Sequence, residues 1–215
     1  MRKVIKNLFD IPYAGIDNYQ GVDILYHLNG DYSVILKINN PIMQYAADVD
    51  LYTQHHQILL NAVKILGEGH MLQKQDIFIR KAYKANQNHE FLHSKYQEHF
   101  SGRAYTEIQT YFTITRSVKK GAFYTFDARD LSAFIINIQK IYELFFQANL
   151  EPKILSNQQI NLFVKRVMSL NFKDENITLD NIRPENTELS IGDKNVRAIT
   201  LINTQSIDLP ETISP

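Results

Sequence analysis

Cysteine is absent from all 215 residues. That removes disulfides, thiol nucleophiles and cysteine-based zinc sites from consideration, and it fits a reducing cytoplasm. Neither sign of charge is in excess, because 23 Lys and Arg residues face 23 Asp and Glu. A domain whose main task is to grip bare nucleic acid normally carries a strong basic surplus, so the balance argues against that class. The longest apolar runs, around Leu131–Ile138 and Ile141–Phe146, are short and broken by polar residues. They fall well below the roughly 20 residues that a spanning helix needs. The basic start, MRKVIKNLFDIP, lacks an apolar h-region and a small-residue cleavage site, so it does not read as a secretory leader. There is no G-x-x-x-x-G-K-[ST], and Gly67-x-Gly69 lacks the third glycine of a dinucleotide loop. The segment therefore has no phosphate-cradling loop of its own.

With 44% hydrophobic residues, the chain can build a sizeable core. Val22–Leu28 and Tyr32–Ile38 read as strands joined at Asn29-Gly30, a two-residue hairpin signal. Tyr13 to Gln20 reads as turn. Asp48 is placed to cap a helix that runs to Leu66 and ends at Gly67, with Leu51, His55, Ile58, Leu59, Ala62 and Leu66 as its buried stripe. Met71 to Ser117 then reads as strand, helix, strand. The helix HEFLHSKYQEHF turns Phe91, Leu92, Tyr96 and Phe100 inward and stops at Gly102.

A loop from Val118 to Arg129 leads to a helix capped by Asp130, apolar on most faces and so expected to be sandwiched. Ser156 caps the next helix. The last third reads as strands at Ile177–Ile182, Glu188–Ile191 and Asn195–Ile202, with Gly192-Asp193 as a turn. Eight acidic and four basic side chains follow Phe172, a modest asymmetry that solvated surface accounts for. Hairpins and long helices without regular βαβ alternation predict an α+β fold, with several helices packed on an antiparallel or mixed sheet. Residues 1–205 read as one such domain. The polar ending DLPETISP, with Pro210 and Pro215, reads as the start of a linker.

One literal catalytic motif is present. His89-Glu90-Phe91-Leu92-His93 is an H-E-x-x-H, and His99 falls where metzincins place a third ligand. In that chemistry two histidines one turn apart hold zinc, and the glutamate polarises its water. A third ligand ten residues on requires a helix break at a glycine, and Tyr96 stands there. On a continuous helix His99 would lie about 80° round from His89. A zinc-dependent hydrolase using His89, Glu90, His93 and His99 is thus the alternative, and an amphipathic helix with surface histidines is the simpler reading. The pair His55-His56 reads as surface and core edge. Lys74, Arg80, Lys81 and Lys84, interleaved with Phe78 and Tyr83, offer a further alternative, a single-stranded nucleic-acid module. In the loop, Phe123, Tyr124 and Phe126 are candidates for partner contact.

KQDIFI at Lys74–Ile79, then FLHSKYQEHFSGRAYTEIQTYFTIT at Phe91–Thr115, resemble the N-terminal domain of TraG-family conjugation ATPases of Bacteroidetes conjugative transposons. Those proteins are similar to the VirB-type ATPases of type IV secretion. The opening MRK, the strand ending VILKI, the helix before KQDIFI, and IGDKNVRAITLIN followed by DLP keep the same order, so the resemblance spans nearly the whole chain. It implies a non-catalytic docking and oligomerisation domain at the cytoplasmic face of the inner membrane. That domain would couple a C-terminal motor, which would hold ATP and Mg²⁺, to other secretion proteins. It also implies possible self-association, and it carries over no catalytic residue and no cofactor to this segment.

Overall fold

The computed structural model describes residues 12–41, 48–84, 91–118, 127–172, 182–184, 187–191 and 194–197. The fold is α+β. The main sheet has six strands: β1 (Tyr13–Tyr19), β2 (Val22–His27), β3 (Tyr32–Ile38), β4 (His70–Ala82), β5 (Ala104–Arg116) and β6 (Lys153–Ile154). Their order is β1-β2-β3-β5-β4, and every pair is antiparallel. β5 lies along one edge of β3, while β2 and the short β6 share the other. β2 takes the Tyr32–Ser33 end, and β6 takes Leu36–Lys37. A separate three-stranded antiparallel sheet is formed by β7 (Ile182–Pro184), β8 (Leu189–Ile191) and β9 (Lys194–Val196).

Helices cover both faces of the main sheet. On the front, α1 (Val49–Leu66) and α3 (Ala128–Gln147) lie side by side over Ile24, Val34, Leu36, Phe112 and Ile114. On the back, α4 (Asn157–Ser169) sets Ile160 and Phe163 against Leu25, Ile35, Ile77, Ile79 and Tyr111. β3 is therefore buried from both sides. Its near-continuous apolar run SVILKI is the pattern that a two-sided strand requires.

The helix ends follow local chemistry. Asp48 Oδ1 accepts from the N–H groups of Asp50 and Leu51 at 3.0 and 3.1 Å, and Gly67 closes α1 at φ 65°. Gln159 Oε1 accepts from the Ser156 N–H at 2.9 Å, the reciprocal half of a capping box.

Four expectations change. Tyr13–Tyr19 is a strand, not a turn: β1 forms the sheet's outer edge and turns into β2 through Gln20 and Gly21, at φ 52° and 82°. The β2–β3 connection is a three-residue loop, because the register pairs Tyr26 with Tyr32 and His27 N–H donates to the Asp31 carbonyl. Gly30, at φ 91°, donates to the His27 carbonyl and supplies the bulge that such a loop needs. α3 is capped by Asp127, whose Oδ1 accepts from Arg129 N–H at 2.8 Å, so its first turn begins earlier than Asp130. α3 is also not sandwiched, since Ile136 and Phe146 on its outer side are 51% and 59% exposed. Of the three predicted C-terminal strands, the described residues hold the short segments of β7, β8 and β9. Ile177, Gly192, Asp193 and Ile202 lie outside them.

Candidate interaction surface

β4 and β5 are each thirteen residues long and pair throughout, from His70 with Arg116 to Ala82 with Ala104. β3 pairs only with Thr110–Arg116 of β5. The remainder, Ile77–Ala82 against Ala104–Gln109, continues past β3 as a two-stranded ribbon, and α2 (Phe91–Phe100) follows at its tip. Side chains alternate across this ribbon, so Lys74, Asp76, Phe78 and Arg80 share one face and Gln75, Ile77, Ile79 and Lys81 the other.

The arm presents apolar surface outward. Phe78 is 67% exposed, Leu92 78% and Tyr96 64%, while Gln97 is buried. The expected inward face of α2 is thus reversed at Leu92 and Tyr96. The sequence pattern fixes which residues share a stripe, but the neighbouring layers decide which stripe is covered, and no described side chain of α2 belongs to either core cluster. Tyr96 packs on Phe100 with ring centroids 4.7 Å apart, and Arg103 lies over the Phe100 ring at 4.9 Å. Exposed aromatic and aliphatic side chains clustered with an arginine are the composition of a protein-contact patch.

A polar clamp holds the base of the arm. Asp76 accepts from Thr110 Oγ1 at 2.5 Å, from Asn40 Nδ2 at 3.1 Å and from Lys74. Asn40 also donates to Thr110 Oγ1 at 2.8 Å. Burial pushes the Asp76 carboxyl up, but the bonds from Lys74 and Thr110, the Lys74 charge and the Asn40 bond together hold it below the usual carboxylate range. Buried His55 of α1 faces the same cluster. Burial first, then Lys74 and His56, lower its affinity for a proton, against the pull of Asp76.

The back face carries a second polar chain. His27 Nε2 lies 2.6 Å from Ser33 Oγ, which lies 2.7 Å from Thr115 Oγ1. A hydroxyl beside an imidazole suggests a nucleophile and its base. Ser33, however, is fully buried in the sheet, where no substrate carbonyl can approach it. A cavity of about 130 Å³ adjoins this polar chain at His27 and Thr115, and a separate open cleft of about 340 Å³ runs between β1 and α4, lined by Tyr13, Ile16, Asn161 and Lys165 among others.

The residues singled out by sequence are dispersed. His89 and Glu90, and the loop residues Phe123, Tyr124 and Phe126, lie outside the described residues. α2 runs unbroken through Tyr96, so the turn that a third zinc ligand needs is not made within it. His93 and His99, six residues apart, point about 120° from each other, and His99 Nε2 accepts from Arg103 at 2.9 Å. Among the described residues no group of three or more His, Asp or Glu could hold a metal ion.

The four basic candidates do not form one surface either. Lys81 lies on the opposite face from Lys74 and Arg80 and pairs with Glu107, while Lys74 pairs with Asp76. No helix among the described residues is long and apolar enough to cross a membrane. No protein-family model matches the sequence, and no curated protein matches it.

Proposed function

We propose that this chain is a non-catalytic docking module of a conjugative type IV secretion ATPase, and that the arm of β4, α2 and β5 is its contact surface. The observation that carries the docking reading is the outward apolar face at the arm's tip, where Leu92 and Tyr96 are exposed while Gln97 is buried. The resemblance of KQDIFI and FLHSKYQEHFSGRAYTEIQTYFTIT supplies the system: a cytoplasmic domain held at the inner membrane by other secretion proteins, coupling a C-terminal ATP-driven motor to them. On this reading the segment needs no metal or nucleotide of its own.

The test is binding of the purified chain to the membrane-embedded channel components of the same secretion system. Replacing Leu92 and Tyr96 with Ser should weaken binding at least tenfold, because buried aromatic anchors at interfaces each contribute about 2 kcal/mol or more. The melting temperature should hold, since both side chains are already in solvent. Unchanged affinity in the double variant, or no binding by the wild type, overturns the reading. A Walker A motif downstream in the same reading frame is the further expected finding.

A further inference from the structure

β4 ends the sheet, and among the described residues no backbone group bonds to its outer edge between His70 and Ala82. A long uncovered edge is a template for another strand. We propose that its occupant is β4 of a second copy of this chain, paired antiparallel about a two-fold axis through Phe78. The inference rests on the reading of the arm as a contact surface and names its partner at the ribbon.

Charge selects both the partner and the register. An antiparallel two-fold pair centres on one residue, and each choice sets different side chains opposite. Centring on Asp76 or Arg80 opposes identical charges. Centring on Ile77 sets Lys74 against Arg80, and centring on Ile79 sets Lys74 against Lys84. A centre at Gln75 opposes Lys74 and Asp76, which already pair within one chain, and leaves Arg80 against His70. Only the centre at Phe78 sets Arg80 against an acid, Asp76 of the other copy, twice over.

Arg80 is exposed and has no acidic partner among the described residues. Asp76 uses Oδ1 for Asn40 and Thr110 and Oδ2 for Lys74, which leaves acceptor capacity on Oδ2. The same centre stacks the two exposed Phe78 rings as a cross-strand pair and sets Ile77 against Ile79. No like charges are directly opposed; Lys74 stands opposite Ala82, and Arg80 of the other copy shares Asp76 with it. Past Ile79, which the back core still covers, the ribbon is a two-stranded element of a kind that is marginal alone in water. Pairing converts it into the four-stranded order β5-β4-β4-β5.

The absence of native cysteine makes the test clean. Phe78→Cys places a thiol opposite itself, within disulfide reach for directly opposed strand residues. Arg80→Cys places the two thiols about 13 Å apart along the strands, beyond it. We expect a concentration-dependent dimer of the wild-type chain in sedimentation equilibrium, a disulfide-linked dimer for Phe78→Cys, and little for Arg80→Cys. Arg80→Glu, which opposes two acids, should raise the dimer Kd roughly tenfold. Both side chains are exposed, so melting temperatures of the reduced variants, taken at concentrations below the dimer Kd, should match the wild type.

A wild-type chain that stays monomeric at several hundred micromolar overturns the proposal. So does equal cross-linking of the two cysteine variants, or a dimer that ignores Arg80→Glu. Any of these results leaves the docking reading intact if Leu92→Ser/Tyr96→Ser still abolishes binding to channel components. Loss of that binding difference, with the dimer present, sinks the docking reading alone.

Discussion

Lowering the pH from about 7.5 to about 5.5 should destabilise this protein through His27, His55 and His70. Each is held in a setting that disfavours its charged form. His55 is 2% exposed beneath α1, with Lys74 and His56 adding cationic repulsion and Asp76 opposing it. His27 is half-buried between Ser33 and the edge-on ring of Tyr13, 5.0 Å away, and Asp31 pulls the other way. His70 stacks on Phe134 at 6.0 Å. Burial and then Arg116 lower its pKa, against the carbonyls of Glu68 and Gly67 and the carboxylate of Asp130.

In all three, burial is the leading cause and the folded pKa lies below the ordinary 6.5. The stability tied to the neutral rings is therefore complete above 6.5. It is lost as pH falls below that value, where the unfolded chain takes up protons that the folded chain refuses. One full proton corresponds to about 1.4 kcal/mol per pH unit. His27 and His70 keep part of their rings in solvent, which screens their share, so each contributes less than one full proton to the slope and the sign of the slope is the prediction. Urea unfolding at fixed ionic strength across this range measures it, and proton NMR of the ring Cε1–H signals assigns it. A midpoint that does not move, or ring titrations at or above 6.5 for these three residues, refutes the reasoning.

Two further outcomes test the fold. Leu36→Ala and Ile35→Ala empty opposite faces of β3, so each should cost about 2–5 kcal/mol. Urea denaturation should show both losses, and if only one face is a packed core, one variant will be nearly silent. Asp48→Ala removes the acceptor for two N–H groups of α1 and should cost about 1 kcal/mol, read as a drop in melting temperature. An unchanged value would mean that water replaces the cap without loss.

Much of this architecture was legible because local chemistry and tertiary demand agree. Asp48, Gly67, Ser156 and Gly102 mark helix ends through backbone hydrogen bonding and positive φ, which the residue type alone dictates. β5 alternates as its two faces require. The failures have physical causes. β1 carries Gly15, Asp17 and Asn18, and an edge strand exposed on most of its length shows no apolar alternation to read. In D-A-R-D both aspartates are competent caps, and Asp127 is the one that precedes the observed first turn. Asn29-Gly30 matches a two-residue turn, but Asn29 instead binds Asp31 through both its side-chain oxygen and nitrogen, and Asp31 in turn accepts from the N–H of Val118 at 2.9 Å. That long-range tie favours the longer loop.

The candidate surface was missed for a related reason. The apolar spacing of α2 is the same whether its stripe meets a core or a partner. Only the length of β4 and β5 relative to β3 distinguishes the two cases. Thirteen-residue strands beside a seven-residue neighbour must run past it, and that mismatch was readable in the sequence once the strands were paired.

The position of the polar clamp explains how an arm of this kind can serve as a docking element. β3 stops at Ile38, opposite Thr110, and Thr110 is opposite Asp76. Pairing with β3 therefore ends at this row, while Ile77 and Ile79 just beyond it are still covered by the back core. Asn40, two residues past the end of β3, reaches across the row to both Thr110 and Asp76. Lys74 adds a charge-assisted bond from within β4, of a kind about twice as strong as neutral pairs. Apolar contacts tolerate sliding, whereas directed bonds to a carboxylate fix an angle. A clamp of this chemistry ties β4 and β5 to the end of β3 at a fixed angle, so on the docking reading proposed above a contact made at Leu92 and Tyr96 is joined through this row to β3 and the two cores that enclose it.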